Sequence, residues 1–155
     1  YIESGLQEGA KLVMGGKRPA GPPYDKGYWI MPTVFTNVTQ NMKIAREEIF
    51  GPVACMMRFS DENEVIDLAN DNTYGLCASV WTTDIKKGVR MADSINAGTV
   101  WVNEHILKLV ELPHGGFNES GIGKEAGIEG IKEFVRKKLV HIDLSEETEK
   151  PWHRL

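Results

Sequence analysis

Six consecutive residues combine two carboxylates, an aromatic ring and a rigid bend: residues 47–52, Glu-Glu-Ile-Phe-Gly-Pro. The Glu48 carboxylate can accept hydrogen bonds from two neighbouring sugar hydroxyls, and the flat face of Phe50 can lie against a heteroaromatic ring. Pro52 has a fixed φ and directs the chain into a strand. The alternative is structural, with residues 45–48 as one exposed helical turn and Phe50 in the core, where aromatic side chains are common. Taken alone, the hexapeptide favours this structural alternative.

A second candidate is His114, in a long loop before two glycines that allow a sharp turn. Its ring can line a pocket, but a loop histidine bonded to a backbone carbonyl explains the spacing equally well. The glycine-rich run at 116–127 does not fit a phosphate-binding loop. Its third glycine comes one place too late for G-x-G-x-x-G, and Asn118 stands where a Walker loop needs glycine. These glycines are therefore predicted to serve turns and close packing.

Cysteine and histidine give no further site. Cys55 and Cys77 lack C-x-x-C spacing, and each lies in an apolar, strand-like run where a free cysteine usually packs as a small hydrophobe. The histidines are scattered, and no Ser, Asp or Cys stands with them in a triad-like arrangement. We therefore predict no catalytic residue and no metal ligand in this chain.

Composition limits the class of protein. The chain has 155 residues, is 41% hydrophobic and carries a formal net charge of −4, which gives no electrostatic footprint for nucleic acid. No apolar stretch approaches the roughly 18 to 20 residues of a membrane span, and no signal peptide opens the chain. We expect a soluble, cytoplasmic protein. The first residue is Tyr1, and residues 2–10 resemble the last turns of a helix, so we expect a fragment.

The elements that position these residues alternate in type. Strands are predicted at 11–14, 28–35 with a break at Pro32, 53–59, 78–82 and 99–103. A helix follows the acidic cap at 60–64, and Asp84 caps another. The expected buried stripes are Val65, Ile66, Leu68 and Ala69 in the first helix and Ile85, Val89, Ala92 and Ile95 in the second. Strand–helix alternation over residues 53–103 predicts an α/β layer with parallel neighbours.

The final third of the chain has a different pattern. Residues 104–120 form a long connection, of the kind that is usually functional or disordered. A helical stretch is predicted over 121–134. Residues 135–144 alternate basic and apolar side chains, which predicts a terminal strand at an edge or paired with another subunit. Residues 145–155 are a polar tail anchored by Trp152. We therefore divide the chain into residues 1–134 and a strand and tail at 135–155.

Four segments together resemble the C-terminal part of the NAD(P)-dependent aldehyde dehydrogenase superfamily. They are EEIFGPV at 47–53, ANDNTYGL at 69–76, INAGTVWVN at 95–103 and PHGGFNESGIG at 113–123. Their order and separations match the family, and the resemblance extends to about Leu144. It implies the C-terminal part of the aldehyde dehydrogenase fold: a parallel-type α/β catalytic domain, residues 1–134, and an oligomerisation strand that builds homodimers or homotetramers.

The resemblance also implies roles for individual residues. Glu48 would bind the hydroxyls of the nicotinamide ribose of NAD or NADP, and Phe50 would contact the nicotinamide end. Asn103 would be structural. His114, at a position that is often Phe in the family, and Leu107, in the variable wall at 107–112, would line the aldehyde pocket. These implications reverse the preference for the structural alternative at residues 47–52.

The family's nucleophilic cysteine, general-base glutamate, oxyanion-hole amide and dinucleotide-binding glycine motif are absent from this chain, and neither Cys55 nor Cys77 matches the nucleophile's motif. The complete enzyme would oxidise an aldehyde to a carboxylic acid through a cysteine thiohemiacetal and thioester. This chain alone is expected to be inactive.

PHGG at 113–116 resembles bacterial aminobutyraldehyde and betaine aldehyde dehydrogenases. Glu104 and Glu111 could favour a cationic substrate, whereas Lys108 opposes this. The rival interpretation is a non-catalytic assembly module that acts through strand pairing.

Overall fold

The computed structural model describes residues 1–144. In that range the helices are α1 (Ile2–Gln7), α2 (Lys43–Arg46), α3 (Glu62–Asn70), α4 (Ile85–Ser94) and α5 (Gly127–Lys132). The strands are β1 (Lys11–Met14), β2 (Thr33–Thr36), β3 (Val53–Cys55), β4 (Tyr74–Gly75), β5 (Cys77–Val80), β6 (Thr99–Val102) and β7 (Phe117–Asn118). None of the helices in residues 1–144 has the length and apolar character needed to cross a membrane.

The first half of the chain is built around a three-stranded sheet in the order β1-β2-β3. Strand β2 pairs antiparallel with β1 and parallel with β3. Phe35 of β2 is completely buried and packs with Val38, Met42 and Ile44. Helix α1 packs so closely here that a Cβ on Gly5 would lie 2.9 Å from Ile44 Cδ1. This core fixes the end of α2, from which residues 47–52 depart.

The second half contains two separate strand pairs. Strands β5 and β6 are parallel, and β4 and β7 are antiparallel. Helices α3 and α4 are capped at their N-termini by Asp61 and Asp84, the residues just before each helix. Each cap side chain accepts hydrogen bonds from two backbone N–H groups of the first turn. Such caps satisfy donors that a helix start otherwise leaves unpaired. The predicted cap at Asp84 is confirmed, and within the acidic 60–64 segment the cap is Asp61.

Parallel pairing within residues 53–103 is confirmed for β5–β6, but the predicted layer is not one sheet, and β3 instead pairs parallel with β2. Strand β3 belongs to the first sheet and β5 to another. Two predicted strands are also too long. The strand predicted at 28–35 begins only at Thr33, after Pro32, because proline has no backbone N–H to donate. The strand predicted at 53–59 already ends at Cys55. Local sequence identified β1, β2, β3, β5 and β6, whereas the short strands β4 and β7 lie in segments that were predicted to be a turn and a long connection.

The predicted buried stripes are partly wrong. In α3, Val65, Ile66 and Leu68 are half-buried and Ala69 is exposed. In α4, Ile85 and Val89 are exposed, and the packed face is Gly88, Met91, Ala92 and Ile95. The reason is close approach: a Cβ on Gly88 would lie 2.8 Å from Val102 Cγ1, so β6 contacts α4 where the helix has no side chain. Gly88, the smallest residue of α4, therefore decides which face of the helix packs against β6.

The end of the described chain also differs from prediction. The helical stretch expected at 121–134 is limited to α5, and residues 135–144 form no helix or strand. A strand needs a neighbour for its backbone hydrogen bonds, and no strand within residues 1–144 pairs with this segment. The predicted terminal strand is therefore wrong for the single chain, and pairing with another subunit stays a prediction. The tail with Trp152 lies outside the described residues.

Candidate functional site

Residues 47–52 form a fixed bend between α2 and β3. Helix α2 ends at Glu47, whose backbone is extended, with φ −110° and ψ 147°. The Gly51 N–H donates to the Ile49 carbonyl at 2.6 Å, and the Pro52 carbonyl accepts the Thr33 N–H at 2.8 Å. The bend is thus attached to the first residue of β2. It presents its side chains from a backbone that is held at both ends.

Ile49 is the one residue of this bend that faces the core. Ile49 packs against the buried cluster around Phe35, whereas Phe50 is 97% exposed. The structural alternative, with Phe50 in the core, is therefore wrong. Glu48 is exposed and has no hydrogen-bond or ion-pair partner within residues 1–144. An unpaired carboxylate and an exposed ring thus stand two residues apart in this bend.

The neighbouring carboxylate of Glu47 is already engaged. It accepts a hydrogen bond from the Tyr1 hydroxyl at 2.8 Å and lies 3.9 Å from Lys43 Nζ. The hydrogen bond to Glu47 raises the pKa of Tyr1. Of the two carboxylates, Glu48 is therefore the one available to a ligand.

The bend is also tied to the second half of the chain. Arg46, just before it, donates from both terminal nitrogens to the Asp71 carboxylate at 3.0 and 2.8 Å and to the Asp71 carbonyl at 2.8 Å. Gln40 donates to the same carbonyl at 2.5 Å. A bidentate arginine pair restricts orientation more than a single contact does. These contacts connect α2 to the end of α3.

Leu107 and His114 line a second region, a cavity of about 580 Å³. The Leu107 carbonyl accepts the indole N–H of Trp101 at 2.9 Å. The His114 ring is hydrogen-bonded through Nδ1 to Thr99 Oγ1 at 3.2 Å, not to a backbone carbonyl. Strand β6 therefore positions both residues. The remaining wall is mainly apolar, with Leu109, Val110, Leu112, Pro113 and Ala126.

Sequence reasoning missed five residues of this cavity: Gly98, Thr99, Trp101, Glu125 and Ala126. Thr99 and Trp101 are two apart on β6, the period that brings side chains to one face of a strand, so that spacing could have identified them. Glu125 had no local signal, since it reaches the cavity through a bridge to His114. Its carboxylate lies 3.1 Å from Lys108 Nζ, so the two opposite charges at this wall are paired.

The structure does not bring the four predicted site residues together. Leu107 and His114 line the cavity beside β6, whereas Glu48 and Phe50 lie beside the sheet β1-β2-β3 and are not among its lining residues. The described chain therefore contains two separate surfaces with different chemistry. One offers an acceptor and a ring, and the other an apolar hollow with an imidazole.

Neither cysteine lines the cavity beside β6. Cys55 is half-buried, and burial raises the pKa of its thiol. Cys77 is exposed, so the prediction that it packs as a small hydrophobe is wrong. It occupies the first position of β5, where pairing with β6 constrains the backbone without covering the side chain. Residues 1–144 contain no group of three or more His, Cys, Asp or Glu side chains that could hold a metal ion.

The described chain is a mixed α/β structure with an exposed carboxylate and ring at one bend and an apolar pocket beside β6. The model of the aldehyde dehydrogenase family matches residues 1–140, and the chain belongs to that family. The fold is accordingly part of the aldehyde dehydrogenase α/β fold, as predicted.

Relatives of known name support this placement. The chain is 51% identical to a betaine aldehyde dehydrogenase of Brucella anthropi over 144 residues, which are 93% of this chain and 30% of that protein. It is 48% identical to a protein of the same name from Brucella melitensis, with the same coverage. The chain thus spans about a third of the length of these relatives.

Solved structures show the same similarity. An NAD-dependent aldehyde dehydrogenase of Sinorhizobium meliloti superposes with a TM-score of 0.90 at 40% identity, over 96% of this chain and 29% of that one. A Mycobacterium tuberculosis aldehyde dehydrogenase complexed with NAD+ gives 0.88 at 43% identity, over 96% and 30%. A Staphylococcus aureus betaine aldehyde dehydrogenase in complex with NAD+ gives 0.85 at 42%, over 86% and 27%.

Proposed function

We propose that the natural protein containing this chain oxidises an aldehyde to a carboxylic acid with NAD+ or NADP+. The observation that carries the proposal is the bend at 47–52, where Phe50 is 97% exposed and Glu48 is exposed without a partner in residues 1–144. An exposed flat ring two residues from an unpaired carboxylate suits a ligand that carries both an aromatic ring and hydroxyl groups. Two of the similar solved structures are named as NAD+ complexes.

Glu48 and Phe50 fit the nicotinamide end of such a cofactor. A carboxylate accepts two hydrogen bonds, so Glu48 can hold the two adjacent hydroxyls of a ribose. Phe50, two residues further along the chain, can lie against the neighbouring ring. The dinucleotide would supply hydride acceptance. Glu48 and Phe50 would orient it, and a misplacement of about 1 Å can cost roughly 100-fold in rate.

The test of this role is Glu48→Gln in the natural full-length gene product. The amide keeps the size of the side chain but loses one acceptor and the charge, so hydride transfer should slow with little change in folding. Glu47→Gln is the matched control, because the same change falls on a carboxylate already bonded to Tyr1. Single-turnover formation of reduced cofactor is measured. Rates for Glu48→Gln equal to those of the control would refute the role.

We also propose that Leu107 and His114 belong to the aldehyde pocket and that the substrate is an aminoaldehyde or a related cationic aldehyde. The basis is the imidazole at the wall and the exposed carboxylates Glu104 and Glu111 in the same loop. The one opposing charge, Lys108, is paired with Glu125. Turnover of 4-aminobutanal should exceed that of pentanal, which has a similar length and no charge. A preference for pentanal would contradict this choice.

A second candidate function is assembly without chemistry. Residues 135–144 are exposed, and their apolar members include Leu139 at 90% exposure. We propose that this segment pairs with another copy of the protein to form a dimer or tetramer in the cytoplasm, and as a module it could do so alone. The intact mass of the natural protein separates the two functions. A mass about three times the 17.3 kDa of this chain supports the enzyme, and 17.3 kDa supports the module.

A further inference from the structure

The glycine-rich segment at 121–127 has no role in the proposed function so far, yet it closes onto the loop of His114. The His114 N–H donates to the Glu125 carbonyl at 2.7 Å, and the Glu125 N–H donates to the His114 carbonyl at 2.7 Å. This reciprocal pair forms an isolated antiparallel β-bridge, the only one outside the named strands in residues 1–144. It fixes the backbone of His114 relative to Lys124 and Glu125.

Lys124 makes the next contact, to the residue after His114. Its Nζ donates to the Gly115 carbonyl at 2.8 Å and lies 4.9 Å from the centroid of the Phe117 ring. Phe117 is itself held by the pairing of β7 with β4. On its other side the Gly115 carbonyl approaches Gly98 so closely that a Cβ there would lie 1.8 Å from the oxygen. The carbonyl is therefore packed between β6 and the ammonium group.

The same segment also holds the opposite wall of the cavity. The Gly127 N–H donates to the Val110 carbonyl at 2.9 Å, and the Glu125 carboxylate pairs with Lys108. The exposed ion pair contributes little, because solvent screens it. The backbone bonds and the half-buried Lys124 contact are the stronger restraints. Residues 124–127 thus restrain both His114 and the 107–112 wall.

We propose that Lys124 is a positioning residue for the aldehyde pocket: by holding the Gly115 carbonyl it keeps the His114 ring against Thr99. This inference rests on the proposed function, because it takes the cavity lined by Leu107 and His114 to be the aldehyde pocket. A lysine suits this place because its ammonium group can donate to the Gly115 carbonyl and also lie over the face of the Phe117 ring. Lys124 touches no substrate and acts through His114.

Hydrogen exchange of the full-length protein tests the restraint without requiring activity. Lys124→Met keeps the stem and removes the donor, so exchange in a peptide covering residues 112–126 should become about tenfold faster, since one charge-assisted bond is worth about that factor. Exchange in the core peptide at 33–38 should not change. Lys124→Arg should keep exchange slow, because its guanidinium can donate to the same carbonyl. Lys132→Met, in α5 and away from the cavity, is the matched control.

Unchanged exchange at 112–126 in Lys124→Met overturns the proposal. So does faster exchange throughout the chain, which would mean that Lys124 stabilises the fold as a whole, or exchange in Lys124→Arg as fast as in Lys124→Met.

Kinetics then connects the restraint to the pocket. In Lys124→Met the aldehyde KM should rise about tenfold, while the Kd for NAD+ stays at the wild-type value. A uniform loss of kcat with unchanged KM would indicate a smaller active fraction and would overturn the positioning role. If the wild-type protein oxidises no aldehyde, the proposed function fails, and the exchange experiment still decides whether Lys124 holds this loop.

Discussion

Gly98→Ala should disable the pocket while leaving the cofactor side intact. Gly98 precedes β6, and its N–H donates to the Gly75 carbonyl at 2.9 Å. A Cβ built on Gly98 would lie 1.8 Å from the Gly115 oxygen, and real Cβ atoms essentially never approach a heavy atom closer than 3.0 Å. The separation between this Cβ and the Gly115 oxygen must therefore increase by at least 1.2 Å, from 1.8 Å to 3.0 Å. Because His114 directly precedes Gly115 in the chain, its position should shift as well.

Two magnitudes follow from this displacement. Misplacement by about 1 Å can cost roughly 100-fold in rate, so kcat/KM for the aldehyde should fall by about that factor. Overpacking typically costs about 1–3 kcal/mol, so the free energy of unfolding should decrease by that amount. The Kd for NAD+ should not change, because Glu48 and Phe50 lie beside a different sheet.

The assay compares steady-state kcat/KM, cofactor titration and denaturant unfolding of the full-length protein. Gly51→Ala is the control for unfolding, since a Cβ there meets no heavy atom within 4 Å. If Gly98→Ala folds and its aldehyde kcat/KM stays within about twofold of wild type, the pocket does not depend on the position of this loop. The reasoning from the Gly98–Gly115 contact would then be refuted.

Three further predictions concern single side chains. Phe50→Ala should raise the Kd for NAD+ about tenfold, since stacking of a base on an aromatic ring is worth about 1–3 kcal/mol, without lowering the unfolding free energy; an unchanged Kd contradicts the contact. Asp61→Ala should lower the unfolding free energy by about 1 kcal/mol through loss of the α3 cap, and Asp67→Ala, within the same helix, should lower it less. Iodoacetamide should alkylate exposed Cys77 before half-buried Cys55. The alkylation rate of Cys55 should increase as the pH rises towards the raised pKa of its thiol. Equal alkylation rates of the two cysteines at neutral pH would contradict this.

Much of the secondary structure follows from the sequence because its signals are local. The Asp84 cap bonds to N–H groups two and three residues further along, so neighbouring residue types suffice to predict it. The bend at 47–52 and the approximate positions of β1, β2, β3, β5 and β6 are local in the same sense. The family followed from four motifs in order, and none of them alone was specific enough.

The sequence by itself determined the family and the helix caps, and it supplied the proposal that Glu48 and Phe50 contact a cofactor. Tertiary structure decided which side chains are available: it packed Ile49 against the core, exposed Phe50 and left Glu48 without a partner in residues 1–144, while Tyr1 engaged Glu47. It also brought Lys124 to the Gly115 carbonyl beside Gly98. These outcomes depend on packing between segments far apart in the chain, where the closest backbone approach sets the geometry. Local residue patterns do not encode that approach.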